Sequence, residues 1–141
     1  MEIKVYRGIF IFVTLTAVFH LAAADMAIYK AGDGIVIEQV GLSEHTDDYI
    51  KNRCAKFKLS EAQVKTYFLQ ATNIESRVYT HDRYSPCYVK GVIVSEGSRK
   101  ATWKIHSGRT SIVNFEDGAA QILFCAKCRW DDPFAGGYSV E

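Results

Sequence analysis

The hydrophobic period of this chain changes once, at Asn73, and that change constrains the fold more than any other feature. Before it, Val64, Tyr67, Phe68 and Ala71 recur at helical spacing and form one apolar stripe, with Lys65, Thr66 and Gln70 on the opposite side. Ser60 with Gln63 three residues later fits a capping box, and Glu61 suits the positive end of a helix dipole. This pattern predicts a helix over residues 58–72. Beyond Asn73 the period is two, which predicts strands over residues 74–80, 88–95, 100–106, 111–115 and 120–125. Val92 and Val94 share a face, as do Trp103 and Ile105. Glu96-Gly97-Ser98, Ser107-Gly108 and Glu116-Asp117-Gly118 are the turns between them, and residues 81–86 form a polar loop ending at Pro86.

Short strands at about ten-residue spacing make an antiparallel meander. An amphipathic helix ahead of such a sheet buries its stripe on one sheet face. The expected fold class is therefore α+β, with one main amphipathic helix packed on a four- to five-stranded antiparallel meander sheet. Upstream, residues 35–40 are short and β-branched and read as a strand or a lid. Residues 41–52 are polar, with Tyr49, Ile50 and Cys54 as the inner face of a short helix. Residues 25–33 have little pattern and read as a lead-in ending in the turn Gly32-Asp33-Gly34.

The first 24 residues set the compartment. Lys4 and Arg7 precede an uncharged apolar run over residues 9–19, and Ala22-Ala23-Ala24 places small residues before a cut after Ala24. These are the three parts of a cleaved secretory signal peptide. The apolar run is about half of the roughly 20 residues that span a bilayer, so stable membrane insertion is not expected after cleavage. Residues 25–141 then form a single globular domain of 117 residues. Its 15 basic and 15 acidic side chains balance, and nucleic acid is excluded as a partner because it requires a concentrated basic field.

All four cysteines, Cys54, Cys87, Cys125 and Cys128, lie in that exported part. An even number in a small exported domain reads as two disulfides. A zinc site, completed by His81 or His106, would normally show two paired-ligand spacings, and only Cys125-Ala126-Lys127-Cys128 is paired. No metal and no cofactor are expected. In an up-and-down meander the start of the first strand and the end of the last share one end of the sheet. If the sheet curls, Cys87 reaches Cys125 or Cys128, and Cys54 takes the other. The alternative bridges Cys125 to Cys128 and leaves Cys54 for Cys87.

Few constellations carry chemistry. A Cys-x-x-Cys pair is the signature of a thiol-disulfide oxidoreductase when it opens a helix, but here it ends a predicted strand. His81-Asp82 lies beside Arg83 and Tyr84 in a loop, and neither Ser85 nor Ser107 has a nucleophile-elbow context. The loop reads instead as a source of interface anchors, because Tyr and Arg are enriched among hot spots. Asp47-Asp48 and Asp131-Asp132 are sequence neighbours that neither face each other across a sugar nor follow a calcium-loop spacing. They read as solvated surface or as contacts to a basic partner. Trp130-Asp131-Asp132-Pro133-Phe134 either plugs a concave site on another protein or folds back over the open end of the sheet. No catalytic residue is assigned.

Phe57-Lys58-Leu59-Ser60, Tyr67-Phe68, Ser85-Pro86-Cys87-Tyr88 with Gly91, Trp103-Lys104-Ile105, and Cys125-Ala126-Lys127-Cys128 with Pro133-Phe134 follow one another in a familiar order. Together they resemble a group of small exported bacterial proteins of unassigned activity, over residues 54–134. The resemblance implies a periplasmic location and a non-enzymatic role, of the immunity or inhibitor type that binds a toxic or lytic enzyme. His81, Asp82, Arg83, Tyr84, Trp130, Asp131 and Asp132 are the candidate partner contacts. An exported thiol-disulfide oxidoreductase using Cys125 and Cys128 is the alternative. A small-ligand carrier ranks below both, for want of a polar group placed to orient a ligand. A homodimer paired through a free sheet edge is compatible with the same pattern.

Overall fold

The structure, a computed structural model, describes residues 34–77, 79, 84–94 and 100–135. The expected signal peptide, the lead-in, the turn at residues 96–98 and the candidate contacts His81, Asp82 and Arg83 lie outside these residues. The elements in chain order are β1 (Ile35–Ser43), α1 (Asp48–Cys54), α2 (Glu61–Gln70), β2 (Thr72–Asn73), β3 (Cys87–Val94), β4 (Lys100–His106), β5 (Thr110–Phe115) and β6 (Ala120–Phe124). The fold is α+β. Its sheet has six antiparallel strands, more than the four or five expected, in the order β1-β3-β4-β5-β6-β2.

Helix α2 starts where its cap demands. The Ser60 side chain accepts from the Gln63 amide and the Gln63 side chain accepts from the Ser60 amide, so two otherwise orphaned donors are satisfied. Lys65 holds the Glu61 carboxyl below its usual range across one exposed turn. Val64, Tyr67 and Phe68 are buried as the stripe requires, and Ala71 follows them as the C-cap. The Tyr67 hydroxyl donates to the Leu123 carbonyl, and Phe68 meets Trp103 edge-on at 5.8 Å between ring centres. These contacts seat α2 on the face carrying Val89, Ile93, Trp103, Ile105 and Val113. Leu69 falls outside the stripe and is 61% exposed.

The meander strands lie close to their expected positions. Ser111 is joined by Thr110 at the start of β5, and β6 stops at Phe124. In β3 the buried residues alternate as Cys87, Val89, Gly91 and Ile93, so Val92 and Val94 face outward. Gly91 is required by a close approach rather than by a turn. A Cβ there would stand 1.9 Å from the Val36 carbonyl oxygen and 2.6 Å from Trp103 Cζ2. Gly118, with φ of 86°, closes the β5–β6 hairpin as its turn signal predicted.

Three expectations need correction. The described part of the expected strand, residues 74–77 and 79, does not continue as one: Thr72 and Asn73 form a ladder on β6, and the Ile74 amide adds one bond to the Ile122 carbonyl. This edge pairing ends early because the chain leaves it, and by Tyr79 it has reached His106 on the outer face of β4. Tyr49 is not on the inner face of α1. Its neighbours Ile50 and Cys54, four residues apart, point to the core, and Tyr49, turned roughly 100° from Ile50, is 64% exposed. The expected Cys87 bridge to Cys125 or Cys128 is also wrong. The bridges are Cys54–Cys87 and Cys125–Cys128. Cys87 and the end of β6 do share one end of the sheet, but β4 and β5 stand between them. Three strand spacings of about 4.8 Å make roughly 14 Å, twice the Cα separation a disulfide tolerates. The sheet does not curl enough to close that gap. With both pairs bridged, no thiol remains to serve as a zinc ligand.

Residues 35–40, read as a strand or a lid, are part of strand β1. It pairs with β3 through register shifts between Ile37 and Gln39 and between Gln39 and Leu42. Among the described residues, no helix is long and apolar enough to cross a membrane.

Candidate functional site

The end of the sheet that holds Cys87 and Phe124 also gathers the chain after β6. Trp130 lies against Phe57 and Tyr67, at 6.3 and 6.0 Å between ring centres, and its indole N–H donates to the Ser107 carbonyl at 2.8 Å. Arg53 on α1 donates to the Pro133 carbonyl, and its guanidinium stands 4.4 Å from the centre of the Phe134 ring. The Trp130–Phe134 segment therefore folds back over the sheet end, which is one of the two arrangements its composition allowed.

A cleft of about 470 Å³ opens between this segment and the β4–β5 turn. Of the expected contacts it brings together Tyr84, Trp130, Asp131 and Asp132. Asp132 is part of the cleft's framework. Its carboxylate accepts from the Ser107 hydroxyl at 2.6 Å and from the Phe134 amide at 3.0 Å. Ser107 Oγ also meets Ser85 Oγ, so a Ser85–Ser107–Asp132 chain ties the polar loop, the hairpin turn and the tail. Because Asp132 takes the Ser107 proton, the shared proton between the serines comes from Ser85. His106 reaches Ser85 at its backbone carbonyl and not at its hydroxyl.

Arg109 and Arg129 supply the cleft's positive charge, and both donate to the Ala126 carbonyl, at 3.3 and 3.0 Å. Arg109 holds φ of 68°, a left-handed conformation that costs a non-glycine residue on the order of 1 kcal/mol. The turn signal placed glycine at 108, one residue before the position that needs it. Arg109 stays there because its amide donates to the His106 carbonyl, its own carbonyl accepts from Cys125, and its guanidinium lies 5.6 Å from the Phe124 ring centre.

Tyr84 is 43% exposed, yet its hydroxyl is held by His45 Nε2 at 2.9 Å. Burial first, and then the Glu44 charge, push its phenol above the usual range. Beside it on the outer face is a cluster that sequence reasoning missed. His106 is 1% exposed. Its Nδ1 bonds the Ser85 carbonyl at 2.8 Å, and a carbonyl only accepts, so Nδ1 carries the proton. Nε2 then accepts from the Tyr79 hydroxyl at 2.9 Å. Burial holds His106 below its ordinary pKa, helped by Lys104 and opposed by the Ser85 carbonyl and Glu44. Tyr79 is pushed up to about 12, by burial and then by Glu44 and Tyr84. Lys104 donates to Glu44 at 2.7 Å and lies over the Tyr88 ring. Strand alternation places His106 on the outward face with Thr102 and Lys104. The return of the chain at Tyr79 covers it, together with Tyr88 and the Ser85 backbone. The concentration of tyrosines at 79, 84 and 88 was the one signal of that covering.

Asp47 and Asp48 are exposed, as solvated surface requires, and the Asp47 carboxylate also caps α1 by accepting from the Ile50 amide. Among the described residues, no three His, Cys, Asp or Glu side chains converge to hold a metal ion. No protein family, curated protein or solved structure was found to match this chain.

Proposed function

We propose that this chain is an exported protein-binding domain of the bacterial periplasm, an immunity or inhibitor protein that occludes a toxic or lytic enzyme with the cleft end of its sheet. The observation that supports this reading is the preorganisation of that end. Ser85, Ser107 and Asp132 bind loop, turn and tail into one hydrogen-bonded frame, and Arg53 clamps the tail to α1. A surface fixed in this way loses little freedom when a partner docks. The anchors it presents are Tyr84, held by His45, and Trp130, held by Ser107, with the exposed Asp131 in the cleft that Arg109 and Arg129 also line. Rigid aromatics that enter a partner at low entropic cost are the usual carriers of binding energy. His81, Asp82 and Arg83 adjoin Tyr84 in sequence and belong to the same proposed contact set.

The test is capture of proteins by the tagged mature protein from a periplasmic extract of its source cells, followed by an activity assay of what binds. A single stoichiometric enzyme silenced by the complex is expected. Against that enzyme, Tyr84→Ala with Asp131→Lys should weaken binding by about 30-fold or more, the scale of a hot spot. Unchanged affinity removes the cleft from the interface.

A further inference from the structure

The two disulfides are not equivalent. Cys54 and Cys87 are both fully buried, and their bridge joins the end of α1 to the start of β3 across a separation of 33 residues. Cys125–Cys128 spans a separation of 3, beyond the last rung of β6. Cys128 lines the large cleft and also the smaller groove beside Ala62 and Thr66 on α2, whereas Cys125 lines neither. The Cys128 amide points at Cys125 Sγ, 3.1 Å away. The guanidiniums of Arg109 and Arg129 are both fixed on the Ala126 carbonyl within the same loop. Negative charge on Cys125 sulfur therefore has a backbone donor aimed at it, while the two cations belong to the loop as a whole, Arg129 donating to the Cys128 carbonyl as well.

We propose that Cys125–Cys128 is a thiol-exchange site, attacked at Cys128 from the cleft by a dithiol reductant, with Cys125 as the leaving thiolate. The incoming thiolate bonds to Cys128 Sγ, the Sγ–Sγ bond breaks, and its electron pair departs on Cys125. The product is a mixed disulfide at Cys128. The reductant's second thiol, once deprotonated, attacks its own sulfur in that mixed disulfide and releases the Cys128 thiolate. The reductant leaves as a cyclic disulfide, and its two protons pass to the two cysteine sulfurs. Exchange is faster when the departing thiolate is better stabilised, which assigns the leaving role to Cys125. Cys128 is followed directly by Arg129 and Trp130, so opening the bridge loosens one wall of the cleft. The exchange site stands independently of the protein-binding reading and needs no partner.

The experiment uses the oxidised full chain in native buffer with dithiothreitol, quenched with N-ethylmaleimide and mapped by mass spectrometry. Cys125 and Cys128 should become labelled at least ~10-fold faster than Cys54 and Cys87. Simultaneous labelling of all four, or earlier labelling of Cys54 and Cys87, overturns the proposal. The direction of attack is read by brief exposure of the oxidised wild type to glutathione, with an acid quench that traps the mixed disulfide. Glutathione on Cys128 supports the assignment and glutathione on Cys125 refutes it.

Discussion

Removing each disulfide by paired alanine substitutions should cost unequal amounts, and the difference follows from where the bridges lie. In the chain-entropy description a bridge stabilises by restricting the unfolded chain, and the effect grows with the logarithm of the loop it closes. A separation of 33 residues gives about 3.7 kcal/mol for Cys54–Cys87, and a separation of 3 gives about 1.6 kcal/mol for Cys125–Cys128. The four cysteine residues are at most 4% exposed, so the loss of side-chain volume is similar in the two variants and cancels in the comparison. Helix α1 widens the gap further. At 7 residues it is too short to persist alone, and the bridge fastens its last residue to the sheet. The assay is urea unfolding followed by circular dichroism. With an m-value of about 1.5 kcal/mol/M, the two midpoints should differ by about 1.4 M, with Cys54→Ala/Cys87→Ala the less stable. Equal midpoints, or a larger loss from Cys125→Ala/Cys128→Ala, would refute the assignment of Cys54–Cys87 as the main covalent clamp.

Two further outcomes follow from the packing and the outer-face cluster. Gly91→Ala drives a methyl group into the Val36 carbonyl and the Trp103 ring, so β1 must separate from β3; the cost of about 3 kcal/mol should lower Tm by at least ~12 °C, and a change of only a degree or two would show that no such close approach exists. His106 has a folded-state pKa below its unfolded value, so the unfolded state binds the extra proton and stability falls as pH falls. Its contribution should be complete above about pH 6.5 and decline as pH drops through the lowered folded value. The stability advantage of wild type over His106→Asn, from urea midpoints between pH 5 and 8, should therefore shrink toward the acidic end, and parallel profiles would contradict that linkage.

The sequence by itself determined the elements whose signals are local. The Ser60–Gln63 box and the Val64–Tyr67–Phe68 stripe located α2, because capping and helical periodicity act within a few residues. Alternation of apolar residues located β3 to β6, and Glu116-Asp117-Gly118 located their last hairpin. Hairpin-linked strands pair with their sequence neighbours, so most of the sheet order was legible as well. Only the tertiary structure decided the rest. The placement of β1 beside β3 and of β2 beside β6 joins segments far apart in sequence, and no local preference encodes which edge each one takes. The disulfide pairing was settled by strand spacing, since two intervening strands put Cys87 out of reach of the pair that shares its end of the sheet. His106 reads as an outward residue of β4 and becomes buried because a distant segment brings Tyr79 over it. The cleft has the same origin. Asp132, Ser107, Ser85 and Arg53 come from four separate parts of the chain, and their hydrogen bonds exist only when packing delivers them to one end of the sheet. Side-chain chemistry is carried by single residues, but proximity is a property of the whole packed chain.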